Sequence, residues 1–166
     1  MYFNGFSLNN ESELFNEYII KNEMTISGFS YGAIKAFEYA LNSENRIDKI
    51  QLFSPAFFND KDLKYKRMQL MFFKKDNINY CNQFLKNCGF SEELSSKYFR
   101  IGKYEELEEL LYYKWEDKKL KELKNKNIEI EVYLGGDDKI IDSNKALEFF
   151  KPYSEVFYIK QKGHIL

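Results

Sequence analysis

Short apolar runs alternate with amphipathic helical stretches along this chain, and that alternation constrains its fold more than any other feature. Runs that read as buried strands occur at Met1–Phe3, Met24–Phe29, Ile47–Phe53, Ile128–Leu134 and Glu155–Ile159, each followed by a glycine or a turn signal. Helical stripes lie between them. Glu11–Ile20 places Leu14, Phe15, Tyr18 and Ile19 together, Tyr31–Asn42 does the same with Ile34, Phe37, Ala40 and Leu41, and Ser143–Phe150 follows Asp142 as an N-cap. Single helices between strands predict an α/β fold of about five mostly parallel strands, with right-handed crossovers and helices on both faces.

One stretch interrupts the alternation. From Asn59 to about Lys126 only helical periodicity is visible, with Gly89 and Gly102 dividing it into three or four helices. An all-helical insert between two strands predicts a cap over the carboxyl edge of the sheet, spanning approximately residues 59–113 of a single 1–166 domain. The apolar Met and Phe side chains of its first segment are expected to face inward.

The composition narrows the function. Aromatic residues make up 18% of the 166 residues, which excludes a disordered or low-complexity chain. A net charge of −1, from 25 basic and 26 acidic residues, argues against a domain whose main work is gripping nucleic acid. Cys81 and Cys88 lack any metal-ligand or disulfide spacing, so neither a disulfide framework nor a metal site is expected; no cofactor is expected either. No segment reaches the ~18 apolar residues of a membrane span, and the start MYFNGFSLNN lacks the features of a secretion signal. A cytoplasmic protein is the expectation.

Gly28-Phe29-Ser30-Tyr31-Gly32 joins a predicted strand to a predicted helix, the context in which G-x-S-x-G forms a nucleophile elbow. The tight turn would hold Ser30 in a strained conformation with its hydroxyl above the sheet. A serine needs a base, and the chain has one histidine, His164, after the last strand, where Gly163 is expected to turn the imidazole back over the sheet edge. On this scaffold an acid falls between the two, and Leu134-Gly135-Gly136-Asp137-Asp138 supplies it at a strand end. Only one of the two aspartates can face the imidazole; the Gly-x-x-Asp spacing favours Asp138. An oxyanion hole would draw on the N–H of Tyr31 and, from the turn Phe3-Asn4-Gly5-Phe6, the N–H of Phe6. Deleting Gly163–Leu166 is expected to remove activity while sparing the fold.

These residues resemble the α/β-hydrolase family. Asn4-Gly5-Phe6 looks like that family's His-Gly-x segment with Asn in place of His, and Ser30, Asp138 and His164 match its triad positions. The resemblance implies a reduced member that begins at the family's third strand. More narrowly, MYFNGFSLNNESELF, GFSYGAIKAFEYA, LFSPAFF and the ending GHIL are similar to small BioV-type pimeloyl-acyl-carrier-protein methyl ester esterases. That resemblance implies a serine carboxylesterase that removes the methyl ester from a pimeloyl chain on acyl-carrier protein, in biotin synthesis. An acidic carrier demands basic residues near the site. Between Asn59 and Lys75, Lys61, Lys64, Lys66, Arg67, Lys74 and Lys75 outnumber Asp60 and Asp62, and Lys64, Lys66, Arg67, Lys74 and Lys75 are the candidate carrier contacts. The alternatives are an acyl thioesterase or general short-chain esterase, and, in another class, an inactive hydrolase-like binding module.

Overall fold

The computed structural model describes residues 1–166. Strands β1 (Tyr2–Phe3), β2 (Thr25–Phe29), β3 (Lys49–Phe53), β4 (Glu129–Gly135) and β5 (Glu155–Ile159) form one sheet in sequential order, and every neighbouring pair is parallel. Each strand begins within two residues of its expected start. The helices are α1 (Tyr31–Asn42), α2 (Leu63–Lys75), α3 (Asn77–Cys88), α4 (Glu92–Tyr98), α5 (Tyr104–Tyr112), α6 (Asp117–Asn125) and α7 (Ser143–Phe150). Five of them fill the interval between β3 and β4, where three or four were expected.

Strand periodicity sorts the core into two layers. Ile50, Leu52, Ile130, Val132 and Leu134 point to the face covered by α1, α6 and α7, while Phe29, Phe53 and Tyr133 point the other way. On that second face Phe15 stacks on Phe53 with ring centroids 4.8 Å apart. Phe15 belongs to a 3-10 helix, Glu11–Phe15, rather than to the ten-residue α-helix the apolar stripe predicted. Gln51 explains the short length: its side chain accepts from the Ile20 N–H and donates to the Tyr18 carbonyl, each at 2.9 Å, taking backbone groups a longer helix would have needed. The β1-to-β2 connection thus crosses one face while the other three cross the opposite face. All four advance the same way across the sheet, so its hand opposes theirs, and uniform right-handedness does not extend to this turn.

The insert closes on itself at its base. The Asn59 side chain donates to the Trp115 carbonyl at 2.8 Å and accepts from the Trp115 N–H at 3.0 Å, which brings the two ends of the stretch together. Trp115 is buried against Phe37, Tyr113 and Phe150, and its indole N–H donates to the Ala56 carbonyl. Trp115→Ala is therefore expected to cost about 3–5 kcal/mol, read as a lowered denaturant midpoint. Further out, the apolar side chains of α2 divide. Leu70 and Phe73 are buried, but Met68, Met71 and Phe72 are 38%, 59% and 46% exposed, so the inward orientation expected for the Met and Phe side chains of this segment holds for Phe73 and not for the two methionines. A 13-residue helix resting on one flank has only one stripe to bury, and Leu70 and Phe73 occupy it.

Candidate active site

Ser30 is the single residue between β2 and α1, and it sits at φ 54°, ψ −111°, a conformation that costs on the order of 1–3 kcal/mol for a non-glycine residue. Three backbone hydrogen bonds hold it there. Its N–H donates to the Phe53 carbonyl at 2.9 Å, and its carbonyl accepts from the N–H groups of Ala33 and Ala56, each at 3.1 Å. The flanking glycines are required by close approach. A Cβ on Gly28 would overlap the Gly32 carbonyl, and one on Gly32 would overlap the Phe3 and Asn4 carbonyls. The end of β1 therefore lies directly against the first turn of α1.

The structure brings the three predicted side chains into one line. Ser30 Oγ lies 2.9 Å from His164 Nε2, and His164 Nδ1 lies 2.7 Å from Asp138 Oδ2. An ionised carboxylate can only accept, so Nδ1 carries the proton and the Nε2 lone pair faces the hydroxyl. The second oxygen of Asp138 accepts from the N–H groups of Ile140 and Ile141 at 2.7 and 3.1 Å, which fixes the carboxylate plane. All three side chains are buried, and the imidazole leans on the Phe29 ring, 5.1 Å between centroids. Asp137 is exposed and contributes its backbone N–H to the Lys162 carbonyl. Asp142 caps α7 by accepting from the Lys145 N–H.

The glycine that lets His164 reach the site is Gly135, not Gly163. A Cβ on Gly135 would collide with the Gly163 and Lys162 carbonyls, whereas Gly163 has no positive φ and no atom closer than 3.9 Å to where its Cβ would stand. The last residues are also part of the core. Leu166 is buried beside Leu85, Cys88 and Phe90, and the Ile165 N–H donates to the Cys88 carbonyl at 3.2 Å. Deleting Gly163–Leu166 would thus remove core packing as well as the imidazole, and a point substitution at His164 isolates the base.

The two N–H groups expected to face an oxyanion, those of Phe6 and Tyr31, make no hydrogen bond within the chain. Tyr31 starts α1, so its N–H is among the unsatisfied donors of a helix N-terminus. Its hydroxyl donates to Glu109 of α5 at 2.5 Å, and burial together with that carboxylate raises its pKa far above the phenol range. The Phe6 loop is tied to the end of α4 and to the α4–α5 connection: the Asn9 N–H donates to the Tyr98 carbonyl and the Arg100 N–H to the Ser7 carbonyl. Arg100 also donates to the Leu8 carbonyl and forms a two-pronged pair with Glu106.

Beneath α2, α3 and α5 lies a cavity of about 500 Å³ walled by Phe58, Tyr80, Phe84, Leu107, Leu110 and Ile140. Ile140 connects it to the site, since its N–H holds Asp138. Of the five candidate carrier contacts, only Lys75 reaches the cavity wall. Lys66 lies over the Tyr112 ring, where burial lowers its pKa, and Lys74 lies over the Tyr104 ring. Lys64 and Arg67 are exposed, with no acidic partner within 4 Å. Lys139, which shares the cavity wall with Lys75, escaped sequence reasoning, although it directly follows the acid.

A parallel sheet with a serine elbow after one central strand and a helical insert after the next is the α/β-hydrolase fold, and this chain has that fold in a five-strand form. Among solved structures it resembles an esterase from Exiguobacterium antarcticum, with a TM-score of 0.66 and 16% identity over 92% of this chain and 63% of that one. It resembles a carboxylesterase from Nitrososphaera gargenis with a TM-score of 0.61 and 16% identity, over 84% and 57% of the two chains. BioG from Haemophilus influenzae superposes with a TM-score of 0.63 and 12% identity over 99% of this chain and 87% of BioG. The chain spans less than two thirds of the length of the two esterases. No family model and no curated protein matches it. No helix is long and apolar enough to cross a membrane.

Proposed function

We propose that the protein is a serine carboxylesterase, and the observation that supports this most is the Ser30–His164–Asp138 line at 2.9 and 2.7 Å. Ser30 Oγ attacks the ester carbonyl carbon while His164 Nε2 takes its proton, and Asp138 stabilises the imidazolium that results. The N–H groups of Tyr31 and Phe6 receive the oxyanion. The tetrahedral adduct collapses with breakage of the carbonyl carbon–alkoxy oxygen bond, and His164 protonates the departing alcohol. Water, deprotonated by the same imidazole, then attacks the acyl-enzyme and releases the acid and the free serine.

The substrate proposed is the methyl ester of a pimeloyl chain on acyl-carrier protein, hydrolysed to pimeloyl-carrier and methanol as a step toward biotin. Three features support this reading. The segments quoted above resemble the BioV-type esterases, the likeness to BioG extends over most of both chains, and α2 presents Lys64 and Arg67 beside the exposed Met68, Met71 and Phe72. A helix face with unpaired cations around exposed apolar side chains fits an acidic protein that also offers apolar surface.

A comparison of pimeloyl-carrier methyl ester with the free pimeloyl methyl ester and with an acyl thioester tests the assignment. The carrier ester is expected to give the highest kcat/KM; equal values for carrier-bound and free ester would sink the carrier-specific reading, and preference for the thioester would replace it with a thioesterase. Charge reversal at Lys64, Arg67 and Lys75 together is expected to lower kcat/KM on the carrier ester roughly 10-fold or more through slower association. The free ester should be turned over as before.

A further inference from the structure

Glu11 is buried under the loop that carries the Phe6 N–H, and the chemistry above makes no use of it. Its Oε1 accepts from the Gly5 N–H at 2.7 Å and from the Tyr2 hydroxyl at 3.2 Å, while Oε2 has no hydrogen-bond partner. No lysine or arginine lies within 4 Å of it. Burial raises its pKa, against the opposing pull of the Gly5 N–H, Tyr2 and the more distant Arg100. As a stabilising group this is a poor choice. A carboxyl with one bare oxygen in the interior costs free energy that an apolar side chain of similar shape would not.

What the carboxyl does is hold a peptide. Gly5 can rotate where other residues cannot, and it is pinned from three sides: its N–H by Glu11, its carbonyl by the Leu8 N–H at 3.3 Å, and its Cα by the Phe29 ring, which leaves no room for a Cβ. The N–H and C=O of a trans peptide point in opposite directions. With the Gly5 carbonyl turned toward Leu8, the Phe6 N–H of the same peptide is turned away from that bond. The contact from Leu8 is long and the one from Glu11 is short and buried, so Glu11 is the firmer of the two anchors.

The geometry points to Glu11 as a positioning residue for the oxyanion hole: through the Gly5 N–H it fixes the turn that presents the Phe6 N–H to the reacting carbonyl. This inference rests on the esterase reading. Wild type, Glu11→Gln, Glu11→Leu and Glu11→Ala are compared on 4-nitrophenyl acetate and for inhibition by a phenylboronic acid, whose tetrahedral adduct with Ser30 places an oxygen in the hole. Glutamine keeps a carbonyl acceptor without the charge, and leucine keeps the volume without the acceptor. The expected result is kcat within about threefold of wild type for Glu11→Gln and a loss of about 100-fold for Glu11→Leu and Glu11→Ala, with KM little changed and the boronate Ki rising in parallel.

Unchanged kcat in Glu11→Leu overturns the inference, as does a loss carried by KM or one that Glu11→Gln shares. If both apolar variants fail to fold while Glu11→Gln folds, Glu11 is a folding group and the inference is again overturned. A wild-type protein that turns over no ester and takes no boronate overturns the esterase reading itself, a result distinct from all the others.

Discussion

Ser30→Ala is expected to lower kcat on the best ester substrate by on the order of 10⁶-fold and to abolish stoichiometric labelling by a fluorophosphonate. The same variant should melt close to wild type, because the three backbone bonds that hold position 30 are untouched and alanine feels the same φ of 54°. Ser30→Gly extends the test. It removes the same hydroxyl but also the Cβ that makes a positive φ costly, so it should be equally inactive yet more stable than Ser30→Ala by about 1 kcal/mol, through relief of that strain. A serine that can be replaced by glycine with a gain in stability is placed for chemistry rather than for folding. Labelling that survives in Ser30→Ala would move the nucleophile elsewhere and take the proposed esterase with it. A wild type that takes no label and turns over no ester would favour the inactive binding module.

The strands were legible because each is an apolar run bounded by turn residues, and the elbow because two glycines at fixed spacing have a steric reason to be there. That reason is visible only in three dimensions. Gly32 is required because the chain at Phe3 and Asn4 passes against it, a contact between segments nearly thirty positions apart. The same distance effect hid Gly135. Its neighbour is the backbone of Lys162 and Gly163, so sequence reasoning credited the nearer Gly163 with a freedom it does not use. The helix expected over Glu11–Ile20 failed for a related reason. Its apolar stripe is present, since Phe15 is buried and Leu14, Tyr18 and Ile19 pack around it, but the competitor for its backbone groups is Gln51, on a strand whose partners the sequence does not name.

Buried polar groups were the least legible. Glu11 falls in a polar, helix-like stretch and reads as a solvated acid in the first turn of a helix, a position where acids are common. Nothing short of the folded loop reveals that its side chain turns inward onto Gly5. The cap posed the opposite problem. Its periodicity was clear, but a helix on the rim of a fold need bury only one narrow stripe, and hydrophobicity alone does not separate a residue that lines a cavity from one left on the outside. Phe72 is half exposed and borders the cavity, while Met71 is exposed and does not. Both are compatible with a surface that meets a partner, which is where the charge of α2 gains its meaning.

Asp138→Asn is expected to lower kcat on the order of 10⁴-fold with little change in KM, whereas Asp137→Asn should stay within a few-fold of wild type. The large effect follows from where the two oxygens of Asp138 go. Oδ1 accepts from two backbone N–H groups, those of Ile140 and Ile141, and Oδ2 accepts from His164 Nδ1. An asparagine at this position has one oxygen and one NH2 group. The two N–H donors of the Ile140–Ile141 turn demand the oxygen, which turns the NH2 toward the imidazole. Nδ1 must then accept, so the proton moves to Nε2, and the atom facing Ser30 Oγ becomes a donor that cannot take the serine's proton. The isosteric change thus inverts the tautomer while preserving the packing, and the variant should fold and bind substrate normally. Asp137 is exposed and engages only its backbone N–H, so its side chain has no such hold on the site. Steady-state kinetics on both variants decide the matter: a protein crippled by Asp137→Asn and indifferent to Asp138→Asn would transfer the orienting role by one position and contradict the loop geometry on which the esterase mechanism depends.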